Sequence, residues 1–173
     1  PNRDAISAVY PFGTGAGWHG WMPAGERRKV QVMWNLVLPL IVAIKGYQAW
    51  NWLGLGEDLP KGVYRDWKHW CRYPRYFFED PKMAWLNEHF AAVRTPIVGA
   101  VSLDDLWAGP ESRDAFMSAF TNAAYQPRNI DPKALGLKPL GHEGDIVPAI
   151  LDEGLIDERI PMDLDRAAET PRD

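Results

Sequence analysis

The sequence predicts an α/β fold, in which C-terminal strands of a mostly parallel sheet follow a long helical segment. Ile97–Leu103 is an uninterrupted apolar run, which is typical of a parallel strand that is buried on both faces. Pro110 then begins a helical pattern. Ala5–Phe12 predicts a further short strand, because larger and smaller residues alternate along it.

The composition is that of an ordinary globular chain, with 46% hydrophobic and 24% charged residues over 173 positions. A net charge of −4, from 19 basic and 23 acidic side chains, argues against a nucleic-acid surface. The single cysteine, Cys71, excludes an internal disulfide framework and favours a reducing compartment, so we expect a cytoplasmic protein.

Arg27–Tyr47 predicts the first helix. Its apolar part, Val30–Ile44, is shorter than the roughly 20 residues that a membrane span needs, and Pro39 should kink it. We therefore expect a packed helix with Leu36 and Leu40 substantially buried. Contact between this helix and a membrane surface is the minority alternative.

Two further helices are predicted before the apolar strand. Asp58 is expected to cap the first of them, with Pro60 in its first turn. Its predicted apolar face has residues at positions i, i+4, i+7 and i+8, which are Val63, Trp67, Trp70 and Cys71. Met83–Val93 predicts the next helix. His69, Cys71 and His89 have no standard metal-ligand spacing, so no metal site is expected.

Beyond the strand, the helix that begins at Pro110 should extend far enough to present one apolar face. That face comprises Ala115, Phe116, Ala119, Phe120 and Ala123. Gln126–Leu140 contains three prolines, so any strand within it must be short and lie at an edge. Ile146–Leu151 is expected to begin a last helix, and Asp157–Asp173 to be a disordered or loosely attached tail.

The chemistry-bearing residues are two neighbouring carboxylates and a later histidine. Asp104 and Asp105 end the apolar strand, and Gly141-His142 follows in a loop. A histidine base requires a carboxylate that fixes its tautomer, and α/β-hydrolases present acid and histidine in this order. The alternative is a purely structural role, in which the aspartates only cap a turn or helix. No Gly-x-Ser-x-Gly or Gly-x-Cys-x-Gly occurs, so we expect a portion of an enzyme whose nucleophile precedes Pro1.

At this point the chain resembles a bacterial family of predicted α/β-hydrolases, related to the serine aminopeptidase and monoacylglycerol-lipase-like group. The resemblance covers about Ile6–Pro148 and is strongest in Leu53–Pro81. The motifs that carry it are Gly54–Pro60 (GLGEDLP), Trp67–Arg72 (WKHWCR), Tyr73–Tyr76 (YPRY) and Phe78–Pro81 (FEDP).

The resemblance implies a partial α/β-hydrolase fold with an inserted helical cap. The expected parts are a core strand and glycine-rich turn (1–17), the cap (18–94), a C-terminal core with acid and histidine (95–156) and a tail (157–173). Asp105 corresponds to the family acid, with Asp104 as the alternative, and His142 to its histidine. Two departures are Glu143-Gly-Asp145 where the family has aromatic residues, and an extra Gly109 before Pro110.

The expected function is therefore cleavage of an ester, amide or similar acyl bond in a small-molecule substrate, without cofactor or metal. Nine tryptophans supply cap packing or an apolar pocket wall. The expected pocket residues are Gly15, Trp18, Trp21 and Trp107. Gly13–Gly17 lacks the spacing of a dinucleotide fingerprint, and close backbone packing is the better interpretation. The alternatives are a non-catalytic binding scaffold and an acyltransferase of the same fold.

Overall fold

The computed structural model describes residues 6–54 and 56–142, and within them the fold is mixed α/β. The strands are β1 (Ile97–Ser102) and β2 (Tyr125–Ile130). The helices are α1 (Ala24–Val32), α2 (Leu38–Lys45), α3 (Lys61–Trp70), α4 (Trp85–Ala91) and α5 (Pro110–Met117). A π-helical turn, Met33–Val37, joins α1 to α2, and short 3-10 turns occupy His19–Trp21, Asn51–Leu53, Tyr76–Glu79 and Pro81–Met83.

The sheet is parallel, with β1 at its centre. β1 pairs with β2 in a register that runs from Ile97 opposite Tyr125 to Ser102 opposite Ile130. Against its other edge, Val9 and Phe12 form parallel bridges to Ile97 and Ala100. The predicted first strand is therefore an extended segment held at two points.

The burial of the strands agrees with their sequences. Residues of β1 are buried or half-buried on both faces, as its continuous apolar run predicts. β2 has exposed residues over most of its length and contains Pro127, which has no N–H to donate to a second neighbour. Among residues 6–54 and 56–142, β2 pairs with β1 alone, which agrees with the prediction of a short edge strand in this proline-rich region.

The helical part has its own core, built on one stripe that crosses α1, the π-helical turn and α2. The stripe comprises Val30, Trp34, Leu38, Ile41 and Val42. The predicted burial of Leu36 and Leu40 is wrong, because their side chains are 58% and 55% exposed. Each lies two residues along the helix from a buried member of the stripe, and this spacing turns a side chain to the opposite face.

Pro39 explains the π-helical turn. A proline in a helix lacks the N–H that would bond one turn back, and its ring crowds the carbonyl four residues before it. The helix widens ahead of Pro39, so the Leu38 N–H bonds the Met33 carbonyl, five residues back. In this pattern the Trp34 carbonyl would require the N–H that Pro39 lacks. Instead, Nζ of Lys68 donates a hydrogen bond to it from α3.

Helix α3 packs with a face slightly different from the predicted one. Tyr64 is buried and stacks on Trp34 with ring centroids 5.7 Å apart, and Trp67 meets the Trp34 ring edge-on at 4.8 Å. Val63 is 51% exposed, so its predicted place on the buried face is wrong. The face is rotated by about one residue because Tyr64 provides more apolar area than valine. Asp58 bonds the Asn51 N–H rather than capping α3.

Helix α5 is shorter than its apolar pattern predicts. It ends at Met117, so three of the predicted face residues, Ala119, Phe120 and Ala123, lie beyond it.

A buried arginine on α5, Arg113, links this helix to the sheet. Nη1 of Arg113 donates to the Arg128 carbonyl at 2.9 Å and to the Asn129 side chain at 2.7 Å. Its other nitrogens pair with Asp114.

No helix within the described residues is long and apolar enough to cross a membrane. The predicted helix at Ile146–Leu151 and the predicted tail at Asp157–Asp173 lie outside the described residues. The same holds for the last part of the predicted C-terminal core, from position 143 onward.

Candidate active site

Asp105 lies just past the end of β1 and is buried at the base of the turn that leads to α5. Its Oδ1 accepts two backbone hydrogen bonds, from Trp107 N at 2.8 Å and Ala108 N at 2.9 Å. Its Oδ2 lies 3.0 Å from Nδ1 of His142. Oδ1 therefore bonds the backbone of the turn, and Oδ2 contacts the imidazole.

The predicted approach of His142 to Asp105 is confirmed as geometry. The His142 side chain is 41% exposed, while the Asp105 side chain is 1% exposed, so a buried carboxylate contacts a partly exposed imidazole. Trp107 stacks on the imidazole, with ring centroids 5.7 Å apart and an interplanar angle of 28°. Nε1 of Trp107 donates to Glu26 at 3.0 Å, which fixes the indole against α1.

Asp104 contacts the backbone of the His142 loop rather than the imidazole ring. Its carboxylate accepts hydrogen bonds from Leu140 N at 2.9 Å and Gly141 N at 3.1 Å, and from the Ser102 hydroxyl. Asp104 therefore holds the backbone that carries His142, while Asp105 contacts the ring. Between the two acids left open by the sequence, the geometry favours Asp105 as the partner of the imidazole.

Hydrogen bonds hold both carboxyl groups in their charged forms. Burial alone would raise the pKa of Asp105, but the contacts with His142, Ala108 N and Trp107 N outweigh it, and the pKa lies below its ordinary value. Burial opposes ionisation of Asp104 too, yet the Ser102 hydroxyl and the Gly141 and Leu140 N–H groups bring its pKa below the ordinary value. Two adjacent carboxylates therefore both stay ionised at neutral pH.

We expect acid to destabilise this loop in a defined way. A carboxyl group with a lowered folded-state pKa stabilises the protein above its ordinary pKa, near 3.8, and this contribution is lost as the pH falls through the lowered value. Urea unfolding between about pH 6 and about pH 2 should show this decline. The Asp104→Asn variant lacks one of the two titrations and should decline less. An unchanged slope in that variant would contradict the anchoring role of Asp104.

A pocket of about 350 Å³ opens beside His142. It is mainly apolar with few polar groups, which is the usual character of a small-molecule site. The glycine-rich turn, the core side chains Trp34, Trp67 and Cys71, and the aromatic rings of Tyr76, Phe77 and Phe116 form its walls, with Trp107 beside His142.

Two of the four predicted pocket residues, Gly15 and Trp107, line this pocket, and the other two do not. Trp21 donates its indole N–H to the Pro74 carbonyl at 2.9 Å, and Trp18 packs edge-on against Trp21. These two tryptophans therefore contribute to local packing rather than to the pocket wall. Trp34 and Trp67 line the pocket instead, and only the contact between the π-helical turn and α3 reveals this.

Tyr76 also lines the pocket, although no pattern in the sequence marks it as a pocket residue. Its backbone has φ +61°, a value that residues other than glycine rarely adopt. Its ring contacts those of Trp70, Phe77 and Phe116, and these contacts hold it in place. Strained backbone of this kind is common at functional sites.

Gly15 permits close packing of the glycine-rich turn on α5. A Cβ at this position would overlap the Ser112 side chain. Ser112 cannot move away easily, because its hydroxyl donates to the Ala16 carbonyl at 2.8 Å and its carbonyl accepts from Ala16 N at 3.0 Å. The expectation of close backbone packing in this turn is confirmed.

Gly15→Ala is therefore expected to lower the free energy of unfolding by about 1–3 kcal/mol, as overpacking does. Gly25→Ala is the matched control, because Gly25 lies in α1 with open space around it. That change should be neutral or stabilise by up to about 1 kcal/mol. Equal effects of the two changes on chemical denaturation would contradict the close approach.

Cys71 reaches the same pocket, but it is poorly suited to act as a nucleophile. Burial raises the pKa of its thiol to about 12, so the thiolate is scarce at neutral pH. Its Sγ packs close to Gly17, and the residue borders the helical core. Its contribution is packing, in agreement with the sequence-based interpretation.

Within residues 6–54 and 56–142, no group of three His, Cys, Asp or Glu side chains is arranged to hold a metal ion. No family model, curated protein or solved structure matches the chain.

Proposed function

We propose that this chain contributes the acid and the base of a serine α/β-hydrolase that cleaves an ester, amide or similar acyl bond of a small molecule. The observation that carries the proposal is the buried Asp105 carboxylate. Two backbone N–H groups fix it, and it meets Nδ1 of His142 at the edge of a mainly apolar pocket. A carboxylate that orients a partly exposed imidazole provides two of the three members of a nucleophilic triad.

In the proposed mechanism, the carboxylate of Asp105 accepts the Nδ1–H of His142 and so places the basic lone pair on Nε2. Nε2 takes the proton of the attacking serine hydroxyl while its oxygen bonds to the acyl carbon. The same nitrogen then returns the proton to the leaving group. Asp105 stabilises the imidazolium between these two transfers, and Trp107 holds the ring plane.

The nucleophile is proposed to come from a Gly-x-Ser-x-Gly segment that precedes Pro1, because the sequence of this chain contains none. Thr14, Tyr76 and Cys71 are the hydroxyl and thiol side chains that line the pocket within the described residues. None of the three lies in the tight strand-to-helix turn that exposes a hydrolase serine.

The test compares this chain with a protein extended upstream through the next Gly-x-Ser-x-Gly. Only the longer protein is expected to hydrolyse a short-chain p-nitrophenyl ester, and His142→Ala should reduce its rate to the background. His89→Ala is the matched control, since His89 is exposed and packs on Trp85 away from the pocket.

Two results would oppose the proposal. Activity of the extended protein that survives His142→Ala would remove the base from the mechanism. Activity of the shorter chain that is lost in Thr14→Val would place the nucleophile within these residues instead.

A further inference from the structure

A second, larger groove lies on the other flank of α3, between α3 and α2. Its volume is about 720 Å³, and none of its lining residues belongs to the candidate active-site pocket. Pro39, Val42 and Ala43 form the α2 side, and the segment that contains Lys82 closes one end. The hydrolase proposal gives this groove no role.

Its lining is rich in positive charge. Four cations lie along α3 and its C-terminal extension at successive spacings of four, three and four residues, which places them on one helix face. They are Lys61, Arg65, Lys68 and Arg72, and Lys82 joins them from the adjacent segment. In the part of the chain that the structure describes, none of these five side chains forms an ion pair.

The two carboxylates in the groove do not balance these cations. Asp80 already accepts hydrogen bonds from Trp70 Nε1 and Lys82 N, and its Oδ2 lies 3.2 Å from Nε2 of His69. Asp66 is exposed. The groove is thus net positive in a chain whose overall charge is −4, so general composition does not explain the concentration of cations.

Two further observations characterise the polar groups of this groove. Burial and the nearby charge of Arg72 together lower the pKa of Lys68. Tyr64 forms part of the groove wall, and its buried hydroxyl has no hydrogen-bond partner among the described residues. Buried hydroxyls in folded proteins are normally bonded, so the wall contains a donor without an acceptor.

We propose that this groove binds a ligand carrying several phosphate groups in a row. The stripe from Lys61 to Arg72 extends over roughly 16 Å at the rise of a helix, and neighbouring cations lie roughly 6 Å apart. A single phosphate reaches two of them at most, whereas a chain of phosphates contacts the whole stripe. The guanidinium groups of Arg65 and Arg72 supply the forked geometry that phosphate oxygens accept.

The test titrates the full protein with sodium tripolyphosphate and, separately, with inorganic phosphate, and measures binding by calorimetry. Saturable binding of tripolyphosphate is expected, with inorganic phosphate at least about tenfold weaker. The Lys61→Gln/Arg65→Gln variant should weaken tripolyphosphate binding by at least about tenfold. It spares Lys68, which also supports the π-helical turn.

The control variant, Arg94→Gln/Lys133→Gln, removes the same charge from exposed sites outside the groove and should bind like the parent protein. Circular dichroism of both variants verifies that they fold. Equal binding by the two variants, or no saturable binding by the parent protein, would overturn the proposal.

A vesicle arm separates a free phosphate ligand from a lipid surface. Leu40 and the 81% exposed Ile44 lie on α2 near the groove and could enter a bilayer. Vesicles of phosphatidylglycerol are compared with vesicles of phosphatidylcholine, and Leu40→Ser/Ile44→Ser with the parent protein. Vesicle binding that this variant abolishes, without tripolyphosphate binding, would replace the phosphate ligand with an anionic membrane.

Discussion

Asp105→Asn is expected to lower kcat for ester hydrolysis by about 10⁴-fold in the extended, serine-containing protein. The reason lies in the two backbone bonds to Oδ1. Trp107 N and Ala108 N both require an acceptor, so the amide oxygen must take that position. The amide NH₂ then faces Nδ1 of His142, which must become the acceptor. The proton moves to Nε2, and the base can no longer accept one from the serine.

Asp104→Asn provides the comparison. Asp104 contacts the backbone of Leu140 and Gly141 rather than the ring, so this change loosens the loop without reversing the tautomer. A loss of about tenfold is expected, as for a misplaced but functional base. Nitrogen NMR of His142 should report the reversed tautomer only in Asp105→Asn. A loss of less than tenfold in Asp105→Asn, or a larger one in Asp104→Asn, would contradict these assignments.

Arg113→Met is expected to lower the free energy of unfolding by about 3 kcal/mol. Arg113 is 2% exposed, and its removal leaves the Arg128 carbonyl and the Asn129 side chain without their charged donor. The Asp114 side chain is half exposed, so water can take over part of that bond, and the loss lies at the lower end of the range for buried pairs.

Arg75→Met is the matched change at an exposed site, where the arginine makes one side-chain bond to Ser118. Its effect should stay within about 0.5 kcal/mol. Chemical denaturation followed by fluorescence measures both variants. A difference of less than about 1 kcal/mol between them would show that Arg113 is not the link between α5 and β2 that its contacts indicate.

The parts of the structure that sequence predicted well depend on local patterns. β1 is a short run of apolar residues, and Asp105 follows it at the strand end where the sheet directs its ligands. The loop that carries His142 follows β2, the parallel neighbour of β1, so both residues come after strand ends at the same edge of the sheet. Contact between His142 and Asp105 follows from this order of elements. Pro127 likewise restricts its own strand to an edge by removing one donor.

The failures concern the faces of helices and the composition of the pocket, which depend on tertiary contacts. Leu36 and Leu40 have the hydrophobicity of core residues, yet a competing stripe with Trp34 at its centre packs against α3. Trp18 and Trp21 resemble pocket residues by proximity to the glycine-rich turn. Their edge-on contact and the bond to Pro74 use them elsewhere, and no short-range pattern distinguishes such tryptophans from those of a pocket wall.

The π-helical turn has a consequence for how this sequence can vary over evolution. Pro39 leaves the Trp34 carbonyl without its helical donor, and Lys68 supplies a replacement from another helix. A relative with an ordinary residue at position 39 has an intact helical ladder and no need for a cation at position 68. The two positions should therefore covary among homologues, although they lie 29 positions apart in the sequence. Loss of the lysine alone would be tolerated only in lineages that had already lost the proline.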